Sequence, residues 1–554
     1  MTNLDTMSLR SHAYPVDLIR SCEQVLLDAQ SAPDQLMRQA AHAVAVAAAT
    51  MVAVPAPTIL RVQATGQRIL LLVGAGGNGG DALYAGAELA ANHTVEAVLL
   101  GREGRVHERA LTAFQTAGGT VLDGLPEDLR PYRLVVDGIL GIGGAGGLGP
   151  ELGSWLERVR EHHYIPVLAV DVPSGVEADT GALPEHHVTA DVTVTFGALR
   201  HAHAVSPACG EVIIAEIGLG ERTLSRDLLR HVIDNDGSYL MVIRAVPAVR
   251  YDWPPPLQTL SAYSNNEPLE PGAADDKYSG GVVGLCAGSV TYPGAAVLTV
   301  LGAVRATSAM VRYVGSQKLE VVRAVPEVVV SDTVADTGRV QAWVVGPGRG
   351  TDDAAHDELA ELLERPEPLL IDADALTLLS RHPELREKLR KRTGSVLLTP
   401  HEGEFRRLAE SLEDTGIPDP TLDRLGAVRA LSDALNCGVL LKGRYTVLSF
   451  PGTRLGMWAI DAGSSWAATP GSGDVLAGVI GAWLARAATW AQHQEVEGFP
   501  IALLSACDGL QVHAMAAWLS AQTPDGPAPT SASRIAEAIP QATARLKHPD
   551  FVGR

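Results

Sequence analysis

The segment Thr469-Pro470-Gly471-Ser472-Gly473-Asp474-Val475-Leu476-Ala477-Gly478 sets an aspartate in the first turn of what reads as a helix, behind a turn of small residues. The N–H groups at a helix start have no partner inside the helix, and the helix dipole is positive there. Such a turn can hold a phosphate or a developing oxyanion. An aspartate beside it can take a proton from a substrate hydroxyl. The plainer reading is a Gly-rich loop that caps a helix.

Residues upstream argue for chemistry. Leu441-Lys442-Gly443-Arg444-Tyr445-Thr446 follows an apolar run, and Lys442 with the open backbone of Gly443 suits a nucleotide phosphate. Leu398-Thr399-Pro400-His401-Glu402-Gly403-Glu404-Phe405 places His401 at another strand end, and Asp372 and Asp374 follow a third. Val344-Val345-Gly346-Pro347-Gly348 adds a glycine turn at a fourth. Taken singly, His401 reads as a helix cap and the two aspartates as turn formers.

The first half has its own set. Gly74-Ala75-Gly76-Gly77-Asn78-Gly79 matches the dinucleotide fingerprint GxGxxG, with Glu103 as a ribose acid, so a Rossmann dehydrogenase competes. The residues that follow change this reading, because Gly80-Asp81 completes Asn-Gly-Gly-Asp at a helix start. Asp137-Gly138-Ile139-Leu140-Gly141-Ile142-Gly143-Gly144, Asp171-Val172-Pro173-Ser174-Gly175 and Thr195-Phe196-Gly197-Ala198-Leu199-Arg200 stand at three more strand ends. In an open parallel sheet such ends converge on one crevice.

The elements that must position these residues are legible as apolar, β-branched runs. They lie at Arg68–Val73, Val95–Leu100, Arg133–Val136, Pro166–Val170 and Val192–Phe196, then at Val282–Cys286, Ala342–Val345, Leu369–Ile371, Val396–Leu398, Val439–Leu441 and Thr446–Phe450. Helical stretches separate them, which predicts parallel sheets covered on both faces. The Pro-rich stretch from Tyr251 and the polar run to Asp276 read as a connector, and the tail carries a helix at Ile535–Leu546. The expected organisation is residues 1–235 and 236–554, each with its own core. The 554-residue length calls for at least two domains.

The first-half set resembles the NAD(P)H-hydrate epimerase family. The resemblance implies a Rossmann-like doubly wound domain that interconverts the R and S epimers of hydrated NAD(P)H. It places a potassium site at Asn78, Asp137 and Ser174, in keeping with hard oxygen ligands. It places substrate contacts at Gly77, Asn78, Gly79, Gly80 and Asp81, at Gly141, Ile142, Gly143, Gly144, Ala145, Gly146 and Gly147, and at Asp171, the candidate general acid/base. Two positions depart from the family pattern: Gly77 replaces an asparagine and Arg200 replaces a lysine. Arginine can hold phosphate but does not act as a base.

The second half resembles the ribokinase-like superfamily and, within it, the nucleotide-dependent NAD(P)HX dehydratases. The motifs are Thr-Pro-His-x-Gly-Glu-Phe, Lys-Gly-x-x-Thr and Gly-x-Gly-Asp, with Tyr292-Pro293-Gly294-Ala295-Ala296 upstream. The family has threonine at Ser472, which keeps the hydroxyl. The resemblance implies hydrate contacts at Ala296, Gly348, His401 and Asp474, and adenine-nucleotide contacts at Lys442, Gly443, Arg444, Tyr445, Thr446 and Gly473. ADP, giving AMP and phosphate, and Mg2+ are the implied cofactors, with Asp474 as catalytic base. Two alternatives remain at this level: a vitamin-type kinase fused to a dehydrogenase, and a nucleotide-binding scaffold with a decayed first half.

Composition narrows the partners. The chain is 46% hydrophobic and 19% charged, as in globular proteins, and its net charge of −20 disfavours nucleic acid and anionic membranes. The two resemblances imply NADHX, NADPHX and ADP as partners, and a homo-oligomer is the expected assembly. Five scattered cysteines and no evident signal peptide suit the cytoplasm. The apolar run Ala43 to Leu60 reads as a buried helix ending near Pro55, because prolines interrupt it.

Overall fold

The computed structural model describes residues 11–547 apart from 55–65, 102–104, 143–146, 163–164, 235–239, 247–250, 261–269, 308–309, 413–415, 453–455 and 495–500. The chain forms two compact units. The first comprises Met1–Val242 with Ala248–Leu260 and Thr421–Asp423, and the second the remainder.

The first unit is built on an eight-stranded sheet. Its order is Leu257–Thr259, Glu211–Ala215, Val192–Phe196, Val167–Val170, Tyr132–Gly138, Arg68–Val73, Thr94–Leu99 and Thr120–Leu122. All neighbours are parallel except the Leu257–Thr259 edge. That edge strand falls inside the stretch read as a connector. Its alternating run is too short to be separated from a loop by pattern.

Arg68–Val73 shows why the sheet is buried on both faces. Ile69, Leu71 and Val73 join the core on one side, and Leu70 and Leu72 join the core on the other. The helix Gln35–Ala53 packs against the helix Gly77–Leu89. It is long and apolar enough to cross a membrane, but Ala40, Val44, Ala47, Ala48 and Met51 lie in the core of this unit. It ends at Ala53, before Pro55 as expected.

The second unit has the strand order Val329–Ser331, Met310–Val314, Val282–Cys286, Ala342–Val345, Leu369–Ile371, Val396–Leu398, Gly438–Leu441, Tyr445–Ser449 and Met457–Asp461. The first seven run parallel. The last two turn back antiparallel, a departure from the purely parallel sheet expected from strand–helix alternation. The reversal is local: a short turn at Lys442–Arg444 can join only antiparallel neighbours, whereas a parallel pair needs a long crossover. On one face the helices Pro293–Ala306, Ser472–Gln494, Ile501–Ser520 and Ala532–Lys547 pack together.

Candidate functional sites

In the first unit the strand order reverses between Arg68–Val73 and Tyr132–Gly138. A crevice opens beyond the carboxyl ends at such a switch point. Here it is a cavity of about 630 Å³ lined by Gly76, Gly77, Asn78, Asp81, Ile139–Ile142, Asp171 and Arg200, with Arg20, Glu23 and Met37 from the two N-terminal helices. The volume suits a sizeable small molecule.

Close backbone approach builds the floor. A Cβ on Gly74 would stand 1.7 Å from Ile139 O, and one on Gly79 would stand 2.1 Å from Gly74 O. Gly79 and Gly80 are therefore packing positions behind the turn, Gly80 against Met37, and neither lines the cavity. Gly77 has open space where a side chain would project. Gly141 and Ile142 line the cavity, whereas Gly147 stands beside Pro184. Gly143, Gly144, Ala145 and Gly146 lie outside the described residues, as does Glu103.

Asn78, Asp137 and Ser174 come together. Ser174 Oγ donates to Asp137 Oδ1 at 2.6 Å, and its N–H donates to Asp137 Oδ2 at 2.8 Å. Asn78 Nδ2 donates to Leu140 O at 3.2 Å and Val170 O at 2.6 Å. Burial pushes the Asp137 carboxyl up to about 6, against the hydrogen bonds from Ser174 and Ile139 that favour its charge. The result is a nest of hard oxygens around one buried carboxylate. The orientation of the Asn78 amide is exchangeable by rotation, so its oxygen can replace its nitrogen there.

Asp171 sits at φ 66°, an uncommon conformation for a non-glycine residue that lies at the strand end. Its carboxylate pairs with Arg200 Nη2 at 2.9 Å and accepts from Thr195 Oγ1 at 3.1 Å. Arg200 is buried and also donates to Thr195, Phe196 O and Ala198 O. It is thus an anchor for Asp171 that also lines the cavity. His203 completes the support: burial lowers it to about 3, and its Nε2 donates to Asp171 O at 2.7 Å.

Burial, with Asp171 and Glu23 nearby, raises Asp81 well above the ordinary carboxyl range. Glu23 is raised by burial and by Asp171, against Arg200 and Arg20. Sequence reasoning missed Glu23 and Arg20. They lie on the amphipathic helix Val16–Asp28, far from any glycine-rich turn, and charge on such a helix reads as a solvated face.

In the second unit five adjacent parallel strands deliver the motifs. Ala296 lies in the first turn of the helix after Val282–Cys286, and Gly348 follows Ala342–Val345 beside Tyr292 and Ala295. Asp372 follows the next strand, His401 the next, and Lys442 the fifth. Lys442 Nζ lies 2.6 Å from Asp372 Oδ1 and 3.8 Å from Glu404 Oε2. Burial opposes the Lys442 charge, but the two carboxylates outweigh it and raise its pKa. His401 caps the helix Glu402–Glu410: its Nδ1 accepts from Gly403 N and Glu404 N, while Glu404 accepts from His401 N at 2.8 Å. Capping and a binding role are compatible, since the His401 side chain remains more than half exposed, with Nε2 3.4 Å from Glu404 Oε1.

Gly471, at φ 81°, turns the chain into the helix Ser472–Gln494. Asp474 is in its first turn, and burial with Asp372 nearby raises its carboxyl to about 6, despite Lys442. Lys442 Nζ stands 3.8 Å from where a Gly473 side chain would begin. Beside this cluster lies a cavity of about 250 Å³ lined by Lys442, Gly443, Arg444, Thr446, Ser472, Gly473, Leu510 and His513. Tyr445 is buried in its strand and does not line it. Arg424 holds the turn by donating to Leu441 O, Lys442 O and Tyr445 O. Burial lowers the Arg424 pKa to about 10. Its place in a helix gave no sign of this role.

Fold and sites together define a two-part α/β enzyme, with one carboxylate-lined crevice in a Rossmann-like unit and one Lys–carboxylate cluster beside a cavity in a second, largely parallel α/β unit. Residues 33–202 match the family described as YjeF-related protein N-terminus, and residues 283–541 match NAD(P)H-hydrate dehydratase. The chain is 47% identical to the bifunctional NAD(P)H-hydrate repair enzyme of Corynebacterium glutamicum, over 96% of this chain and 98% of that one. It is 42% identical to the same-named enzyme of Mycobacterium tuberculosis, over 97% of this chain and all of the other. An ADP/ATP-dependent NAD(P)H-hydrate dehydratase from Bacillus subtilis is 24% identical with a TM-score of 0.40, covering 50% of this chain and 94% of that one. The chain belongs to the family of bifunctional NAD(P)H-hydrate repair enzymes, with an epimerase part and a dehydratase part.

Proposed function

We propose that the first-unit cavity epimerises hydrated NAD(P)H with Asp171 as general acid/base, and that the second-unit cluster dehydrates the S epimer with Asp474 as base. The observation that carries this reading is the clustering of Asp372, Glu404 and Asp474 around Lys442, which itself lines the Gly443–Gly473 cavity. The domain assignment that goes with it is residues 1–235 for epimerisation and 236–554 for dehydration.

In the dehydration step the hydrate's hydroxyl attacks the terminal phosphorus of ADP, and AMP leaves. Asp474 takes the hydroxyl proton. N–H groups of the Gly471–Asp474 turn other than that of Ser472, which donates to Thr469 O, hold the transferring phosphoryl, and Lys442 offsets its charge. Phosphate then departs with the C–O bond electrons, and loss of the adjacent proton re-forms the nicotinamide double bond. Gly443, Arg444 and Thr446 border the cavity that takes the nucleotide, and Ala296, Gly348 and His401 face the hydrate. Mg2+ accompanying the nucleotide would supply further charge neutralisation, with the carboxylates of this cluster nearby.

In the epimerase unit the contacts from Arg200 and Thr195 hold the Asp171 carboxylate in one orientation. Asp81 and Glu23, raised by burial, supply a proton donor across the same cavity. Asn78, Asp137 and Ser174 fit a potassium ion by their oxygen donors. The ion would neutralise the buried Asp137 and tie together the turns that line the cavity.

The expected setting is cytoplasmic, with NADHX, NADPHX and ADP as ligands, and a homo-oligomeric assembly. Incubation with mixed NADHX epimers and ADP tests the reading by absorbance. Complete recovery of NADH is expected. A stop after the S fraction would remove epimerisation from the account.

A further inference from the structure

Away from both cavities, in the second unit, three side chains from different elements meet. His356 lies on the helix Asp353–Glu364, His382 follows the helix Ala373–Arg381, and Glu384 opens the helix Pro383–Lys391. Their candidate ligand atoms all lie within 4.8 Å of one another. Glu384 Oε1 is 3.1 Å from His382 Nδ1 and 3.4 Å from His356 Nε2. Ligands at zinc distances of about 2.0–2.1 Å in a tetrahedron stand about 3.3–3.4 Å apart, so the Glu384 oxygen already stands near shell spacing from each imidazole nitrogen.

Two further observations point inward. His356 Nε2 is shielded from solvent and makes no hydrogen bond, although it faces the Glu384 carboxylate. His356 Nδ1 lies 3.0 Å from Asp357 Oδ1. A carboxylate on one ring nitrogen fixes the tautomer and frees the other nitrogen as a ligand, the arrangement that commonly supports metal-bound histidine. The rings of His356 and His382 stand 4.7 Å apart, tilted at 59°.

We propose that His356, His382 and Glu384 bind a divalent zinc-class ion, with water in the fourth position and Asp357 as a positioning residue. Two imidazoles and one carboxylate favour such an ion over magnesium. The site ties the helix Asp353–Glu364 to the turn at His382, so binding stabilises this face of the unit.

The test uses the untagged full chain, freed of metal by chelator and titrated calorimetrically with Zn2+ alone. The wild type should bind one equivalent more than His356→Ala or His382→Ala, and Zn2+ should raise its melting temperature but not theirs. Asp357→Asn should keep that equivalent with affinity reduced about 10–100-fold. Mg2+ should produce no response at this site. Equal zinc stoichiometry in the wild type and His356→Ala, with both folded by circular dichroism, would overturn the proposal. If His356→Ala does not fold, Glu384→Gln provides the same comparison at a more exposed side chain.

Discussion

The base role proposed for Asp474 has consequences at the scale of one residue. Burial and Asp372 raise it to about 6, so its ionised form is disfavoured in the fold. A base must be ionised, so kcat/KM for dehydration should rise with pH through about 6 and level off above it. A flat profile from pH 5 to 8 would contradict that role. The stability sign follows separately. A raised folded pKa contributes stability below the unfolded carboxyl pKa, and this is lost as pH rises through the folded value. Asp474→Asn should therefore be at least as heat-stable as the wild type at pH 8, with the advantage shrinking toward pH 5. The same variant should lose about 10²–10⁴-fold in dehydration rate while still binding nucleotide. Dehydration within a few fold of wild type would remove Asp474 from the mechanism. Lys442 lies between the cavity and the acids, so Lys442→Ala should weaken ADP more than the hydrate. Calorimetry with each ligand in turn checks this, and unchanged ADP affinity would place the nucleotide elsewhere.

At the scale of elements, the site depends on how closely backbones approach. Gly74→Ala would drive a Cβ into Ile139 O, which nothing flexible can relieve. It should destabilise the first unit by more than about 2 kcal/mol and remove epimerisation, whereas Gly77→Asn should be tolerated because open space lies beyond that position. Thermal melts and an epimerisation assay of both variants read this out, and a wild-type melt for Gly74→Ala would contradict it. The glycine turns were legible in the sequence for the same reason: strands such as Arg68–Val73 and Leu369–Ile371 are unbroken apolar runs that stop at polar or glycine residues. Short edge strands were not legible. Thr120–Leu122 and Leu257–Thr259 mix polar with apolar residues, so they lack the unbroken apolar run that marks Leu369–Ile371 and are too short for alternation to show. Nor were the contributions of Glu23 and Arg424, which come from helices whose local pattern is ordinary. Arg200 reads in sequence as a lost lysine, and only burial beside Asp171 reveals it as an anchor.

At the scale of the whole molecule, two sites in separate α/β units divide a mixture of epimers between two reactions. On the proposed reading the first unit needs no nucleotide and the second takes only the S epimer, so their substitutions should separate cleanly. Asp171→Ala in the full chain should halt epimerisation and leave S-epimer dehydration running. Asp474→Asn should do the reverse. The most direct measurement is chromatography of the residual epimers after the Asp171→Ala chain has acted on mixed NADHX with ADP. The expected result is rapid loss of S alone, with R declining only at its spontaneous rate. Rapid loss of both epimers, at the rate of the wild type, would contradict the account.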